Sequence, residues 1–171
     1  GSLACHAGDV YPHLLFSNFI CCASMPLIRR GPLIEAGGYD AGLHAVQAQG
    51  AEDLKLYMRL AERHPFAVSA RVLVGYRQHP SSMSGDVRQM RRSLQLVLAD
   101  AGRRRPELPL APFRWAIGNN YYWMAQRSVR QCRLGMAAIL ILQAIAADPV
   151  VLLRLRRLAN PFGLWLSRML R

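Results

Sequence analysis

The sequence has 171 residues, of which 52% are apolar, and it lacks the low-complexity bias of disordered chains. It carries 22 basic against 10 acidic residues, and every basic residue except Lys55 is an arginine. Residues 1–85 hold 7 basic and 6 acidic groups, whereas residues 86–171 hold 15 and 4. The second half therefore attracts anionic partners such as phosphates or an anionic membrane, and charge alone does not choose between them.

The four cysteines and five histidines form no pattern that is typical of a disulfide framework or a metal site. No C-x-x-C pair is present, and the histidines are too widely spaced for a zinc site. No basic segment followed by an apolar one opens the sequence, so a signal peptide is not expected. These features predict a reduced, cytoplasmic chain without a structural metal.

The first third of the chain predicts short elements joined by turns. Residues 14–28 mix apolar and small side chains and predict either a strand or a short helix that leads into a turn. Residues 32–38 predict one or two helical turns closed by Gly37 and Gly38, of which one takes the left-handed cap conformation. Residues 39–50 lack periodicity and predict a loop.

Apolar residues at helical spacing predict a helix that begins near Glu52. The spacing i, i+3, i+4 and i+7 is met by Leu54, Tyr57, Met58 and Ala61. The opposite face of this helix holds the charged residues Lys55, Arg59 and Glu62. Glu52 and Asp53 therefore occupy its first turn.

One strand and then only helices are predicted for the rest of the chain. Residues 66–76 alternate in character and predict a strand, and a helix is predicted after Asp86. Residues 103–112 predict a linker, followed by helices over 113–132 and 134–147. The apolar run of the last helix has about 14 residues, fewer than the roughly 20 that span a bilayer, so a packed helix is expected.

The tail from Val150 onward is basic and amphipathic. Val151 and Leu155 fall on one face and Arg154 on the other, and Trp165 continues the apolar side. Such a segment either lies on a membrane surface or packs on its own domain, and the sequence leaves both alternatives open.

Four local patterns follow one another between residues 20 and 84. They are MPLIRR at 25–30, EAGGYD at 35–40, GAEDLKLYMRL at 50–60 and YRQHPSSMS at 76–84. In this order they resemble the second half of the catalytic domain of family 2 glycosyltransferases with the GT-A fold. The resemblance implies an α/β remnant of the GT-A fold followed by a mostly helical C-terminal region, helix-dominated overall. It divides the chain into an acceptor-side half, 1–85, and an arginine-rich helical region, 86–171.

The resemblance implies an inverting transfer, in which an acceptor hydroxyl attacks the anomeric carbon of a nucleotide-sugar. The family's catalytic base falls on Asp53, with Glu52 beside it shaping the acceptor or donor site. The positive end of the helix lowers the pKa of such a carboxylate, whereas a neighbouring carboxylate raises it. The alternative interpretation is that both acids only cap a helix.

The other candidate residues also come from the resemblance. The turn Gly37, Gly38, Tyr39 and Asp40 is implied to lie near the sugar and the acceptor, although a glycine pair also serves as a plain helix cap. Arg77 is implied to approach the diphosphate, and His79 the metal. For these last two residues a solvated loop is the alternative.

The family's nucleotide-binding half, with its Asp-x-Asp motif, has no counterpart in this sequence. We therefore expect Mg or Mn in the complete enzyme, no cation bound to this chain, and no activity of the chain alone. A truncation, a gene that encodes a fragment, and a half that pairs with another polypeptide all remain open. The donor is expected to be a nucleotide-sugar and the acceptor a saccharide or a lipid-linked one, at the inner face of the cell membrane.

Two further interpretations compete with the enzyme. One is a non-enzymatic cationic helical module that binds an anionic membrane surface or nucleic acid. Its arginines alternate with leucines and no nucleic-acid motif is present, so a membrane is favoured over nucleic acid. The other is a degenerate relative that serves as a partner domain, although the intact Glu52 and Asp53 pair argues against it.

Overall fold

The structure, a computed structural model, describes residues 6–69, 71–75 and 86–154. The chain forms two compact units that divide between Leu108 and Pro109. This division falls inside the predicted linker at 103–112. The boundary predicted at residue 85 follows from the resemblance and from the change in charge, and it stays a prediction.

The first unit contains five α-helices among its described residues. They are α1 (Tyr11–Phe16), α2 (Arg30–Glu35), α3 (Gly42–Ala45), α4 (Glu52–Ala61) and α5 (Val87–Arg104). The predicted helix at Glu52 is confirmed, and so is the helix after Asp86. The Asp86 side chain caps α5 by accepting hydrogen bonds from the backbone N–H groups of Arg88 and Gln89.

The core of the first unit is built around α4. Its sequence contains no glycine or proline, and its side chains from Leu54 to Met58 are all buried. This helix packs against α1 on one side and α5 on the other. Tyr57 and Leu56 are almost fully buried at its centre, so the turn that carries Glu52 and Asp53 belongs to a well-buried helix.

The predicted α/β architecture is wrong, because no strand or sheet forms within residues 6–69, 71–75 and 86–154. Only Gly8 and Phe66 make an isolated antiparallel bridge, with backbone hydrogen bonds of 2.7 and 2.9 Å. A strand is stable only when a neighbouring strand takes up its backbone hydrogen bonds. On the Gly8 side that neighbour ends where α1 begins at Tyr11, so the alternating residues after Phe66 stay irregular and mostly exposed.

The segments 14–28 and 39–50 each contain a short helix. Of the alternatives for residues 14–28, the short helix forms, although α1 starts earlier and ends at Phe16. The loop predicted over 39–50 contains the one-turn helix α3, where the Asp40 side chain accepts from the Gly42 N–H at 2.8 Å and starts the turn.

The second unit is a pair of helices followed by a short 3-10 helix. The helices are α6 (Leu110–Arg130) and α7 (Leu134–Ala147), and the 3-10 helix is Pro149–Arg154. Both predicted helices are confirmed. Gly118 allows their close approach, because a Cβ atom at this residue would lie 3.2 Å from the Ala144 carbonyl oxygen. None of the helices described between residues 6 and 154 is long and apolar enough to cross a membrane.

Candidate active site

Asp53 lies in the first turn of α4, and its side chain is hydrogen-bonded to Asn18, 35 residues earlier in the chain. The Asn18 amide Nδ2 donates to Asp53 Oδ2 at 3.3 Å, and the Leu54 N–H donates to Asp53 Oδ1 at 2.7 Å. The same Asn18 side chain accepts the Cys21 N–H at 3.2 Å, at a backbone φ of 76°. No motif pointed to Asn18, so sequence reasoning missed this partner.

The environment of Asp53 makes its carboxylate more basic than an exposed aspartate. Burial raises the pKa of the Asp53 carboxyl above the ordinary value of 3.8, and the charge of Glu52 adds to the rise. The hydrogen bonds from Leu54 and Asn18 act in the opposite direction, but burial is the largest effect. Sequence reasoning had weighed only the helix end and the neighbouring carboxylate.

Glu52 makes a different set of contacts from Asp53. Its Oε2 accepts the Gly50 N–H at 2.7 Å, at a residue whose φ is 121°. The next backbone N–H, that of Ala51, donates to the buried Ser93 Oγ of α5 at 3.0 Å. Glu52 therefore holds a residue that precedes the helix, whereas Asp53 accepts the Leu54 N–H of the first turn and also reaches outside its own helix.

Tyr57 lies one helical turn after Asp53 and connects it with the glycine turn. Its ring is fully buried, and its hydroxyl donates to the Cys22 carbonyl oxygen at 3.2 Å. Burial raises the pKa of the Tyr57 hydroxyl, and the charge of Asp53 and the side chain of Tyr39 raise it further. The i, i+4 spacing from Asp53 is the signal that would have identified Tyr57 as part of the site.

The glycine turn brings the predicted residues Tyr39 and Asp40 to this side of α4. Gly37 and Gly38 both have positive φ, 81° and 63°, where one left-handed residue was expected. Tyr39 remains 48% exposed. The hydrogen bond from Lys55 and that from the Gly42 N–H lower the pKa of the Asp40 carboxyl, so Asp40 is held as an anion beside α4.

Lys55 was placed on the charged face of α4, but its side chain is buried. Its Nζ lies 2.5 Å from Asp40 Oδ2 and 3.9 Å from Asp100 Oδ1. The guanidinium of Arg59 also pairs with Asp100, at 3.3 Å. A buried ammonium group requires an anionic partner, and Asp40 and Asp100 supply it for Lys55. The charged face of α4 can therefore be covered by other elements of the unit.

No group of three histidine, cysteine or acidic side chains among residues 6–69, 71–75 and 86–154 is arranged to hold an ion. The candidates Arg77 and His79 lie outside the described residues. We therefore assign no described residue to the diphosphate or to a cation.

No family model, curated protein or solved structure matches this chain. The resemblance to family 2 glycosyltransferases consequently rests on its four sequence patterns, and the activity that it implies is a proposal. The contacts around Asp53 are the structural observations from which that proposal is built.

Proposed function

We propose that this chain carries the acceptor-side residues of an inverting glycosyltransferase, with Asp53 as the general base. The observation that carries the proposal is the half-buried Asp53 carboxylate, whose pKa is raised and whose Oδ2 is held by Asn18. A base must be fixed in position and must have a pKa tuned to the reaction. Here the Asn18 hydrogen bond fixes the carboxylate, and burial raises its pKa. Two of the four sequence patterns meet at this point, because Tyr39 lies beside Tyr57 of α4.

The proposed step is a single displacement. The acceptor hydroxyl gives its proton to the Asp53 carboxylate while its oxygen forms a bond to the anomeric carbon. The bond from that carbon to the nucleoside diphosphate breaks, and its electron pair leaves with the diphosphate from the opposite face. The configuration at the anomeric carbon is inverted.

The other site residues have positioning roles in this proposal. Glu52 holds the turn at Gly50 through its 2.7 Å hydrogen bond and so fixes the start of α4. The exposed ring of Tyr39 offers a surface for a sugar of the acceptor, since aromatic faces pack well against apolar sugar faces. Roles for Arg77 at the diphosphate and for Mg or Mn, with His79 as a ligand, rest on the resemblance alone.

The test measures nucleoside diphosphate release from a panel of UDP-, GDP- and dTDP-sugars, with a lipid extract as acceptor. It uses the polypeptide as its gene encodes it and compares it with Asp53→Asn. Loss of a general base costs about 10²- to 10⁴-fold in rate, so we expect release to fall by at least about 100-fold.

The matched control is Asp86→Asn, which makes the same change at the start of α5. Asparagine caps a helix about as well as aspartate, so this variant should keep the wild-type rate. Equal rates for wild type and Asp53→Asn would contradict the proposal, and so would the absence of release with every donor from a polypeptide that also carries a donor-binding half. The second result would favour the non-enzymatic cationic module.

A further inference from the structure

The outer face of α7 is apolar along its whole length. Its exposed residues recur at intervals of three or four and therefore share one side of the helix, namely Leu134, Gly135, Ala138, Ile139, Leu142 and Ala146. No polar side chain occurs among them, whereas the exposed face of a helix in water is normally polar. We refer to these six residues as the α7 face.

The largest side chains of the α7 face are strongly exposed. Leu142 is 68% exposed, Leu134 51% and Ile139 49%, while the opposite side of the helix packs Ala137, Leu140 and Ala144 against its own unit. In the 3-10 helix that follows α7, Leu153 is 79% exposed as well. An apolar surface of this extent marks an interaction site.

The charge of the second unit indicates the chemistry of the partner. Residues 109–171 contain nine arginines and one acidic residue, so their net charge is +8. The acidic residue, Asp148, is buried, and its Oδ1 accepts the Val150 N–H at 3.1 Å. No described residue of this unit exposes a carboxylate. Arg130 and Arg133, by contrast, are exposed immediately before the first turn of α7.

We propose that the α7 face is a docking surface for an anionic phospholipid membrane, on which α7 lies parallel to the bilayer plane. Its apolar side chains enter the boundary of the acyl chains, and Arg130 and Arg133 contact the phosphate groups. A second copy of the unit is disfavoured because two segments that each have a net charge of +8 repel each other. Nucleic acid is disfavoured because the α7 face offers no donor or cation to a phosphate backbone. This proposal does not depend on the glycosyltransferase activity.

The experiment measures co-sedimentation of the full chain with vesicles. One set contains equal parts of phosphatidylcholine and phosphatidylglycerol, and the other contains phosphatidylcholine alone. We expect binding to the anionic vesicles, weakened by added salt, and much weaker binding to the neutral ones. Failure of the wild-type chain to sediment with anionic vesicles would overturn the proposal and would mean that another partner or another part of the chain covers the α7 face.

Matched variants separate the apolar and the charged contributions. Leu142→Gln should weaken binding about tenfold or more, because a buried leucine side chain contributes most of its transfer free energy. The control is Leu73→Gln in the first unit, where the leucine is 66% exposed, close to the 68% of Leu142. It should bind as the wild type does.

Arg133→Gln should weaken binding to the anionic vesicles about fivefold, which is the effect of one basic residue near such a surface. Arg92→Gln, at an exposed position of α5, is its control and should have no effect. Circular dichroism of each variant verifies that the helices are intact. Unchanged binding of folded Leu142→Gln would show that the chain does not bind through the α7 face and would overturn the proposal. Equal binding to neutral and anionic vesicles would also overturn it, because it would remove the role of charge.

Discussion

The Nζ atom of Lys55 lies 2.5 Å from Oδ2 of Asp40, and this contact joins the glycine turn to helix α4. The two residues belong to separate sequence patterns, and only the fold brings them together. Lys55 is 9% exposed, so its charge requires the nearby carboxylates of Asp40 and Asp100. The pair fixes the turn that presents Tyr39 beside Tyr57, one helical turn after the candidate base.

Asp40→Ala should destabilise the first unit by about 1–3 kcal/mol, because Lys55 then loses the nearest acceptor of its buried ammonium group. Chemical denaturation monitored by circular dichroism measures this change. The control is Glu107→Ala, which breaks an ion pair between Glu107 and Arg105 on the exposed surface. That variant should unfold at the wild-type denaturant concentration, and equal effects of the two substitutions would contradict the role of Lys55 and Asp40.

Ser93→Ala should destabilise the protein by about 1–2 kcal/mol, because the buried Ala51 N–H loses its acceptor at the start of α4. Ser128→Ala is the matched control, since Ser128 is also fully buried. Its hydroxyl bonds to the Met124 carbonyl of its own helix at 2.9 Å, so its loss leaves no donor of another element unpaired. In thermal unfolding, the melting temperature of Ser93→Ala should be clearly lower than that of Ser128→Ala. The reverse order would contradict the account.

Gly118→Ala should destabilise the second unit by about 1–3 kcal/mol through overpacking between α6 and α7. The added Cβ would lie 2.6 Å from the Asp148 Cβ, and neither atom can move without a shift of the backbone that carries it. Gly135→Ala has open space around its Cβ and should be neutral or stabilising by up to about 1 kcal/mol, since alanine is the better helix former. Denaturant unfolding of the two variants tests this contrast, and a neutral Gly118→Ala would refute the close approach.

The pH dependence of stability should carry opposite contributions from Asp53 and Asp40. The folded pKa of Asp53 is raised above 3.8, so the protonated carboxyl contributes stability below that pH, and this contribution is lost as pH rises through the folded pKa. The melting temperature of Asp53→Asn relative to the wild type should therefore increase as pH rises from below 3.8 to neutral.

The folded pKa of Asp40 is lowered by Lys55, so its contribution is present above 3.8 and is lost as pH falls through the folded pKa. Asp40→Asn should accordingly lose stability relative to the wild type over the same rise in pH. Differential scanning fluorimetry in a series of buffers measures both differences. Slopes of the same sign for the two variants would contradict the electrostatic description of the site.

The sequence predicted the longer helices better than the site that they support. The spacing of Leu54, Tyr57 and Met58 and the cap at Asp86 are local signals, and local signals decide where α4 and α5 begin. A strand depends on a partner elsewhere in the chain, which alternation alone does not reveal, and so the strand prediction was wrong for the described residues 66–69 and 71–75.

The candidate site was predictable only where its residues lie within one motif. Asp53 and Tyr57 are one turn apart on α4, and their proximity follows from helix geometry. Asn18 and Ser93 reach the same helix from distant segments, and no pattern in the sequence links them to it. The burial of Lys55 was unforeseen for the same reason, since its carboxylate partners come from other elements.

The most direct test of Asp53 as the catalytic base is the pH dependence of kcat/KM for the nucleotide-sugar from which nucleoside diphosphate is released fastest. The rate should fall on the acid side as Asp53 takes up a proton. In Asn18→Ala this acid limb should move to higher pH, because the hydrogen bond from Asn18 lowers the pKa of Asp53 and its loss leaves the raising effect of burial less opposed. An acid limb that stays in place in Asn18→Ala, or that persists at the wild-type rate in Asp53→Asn, would contradict the account.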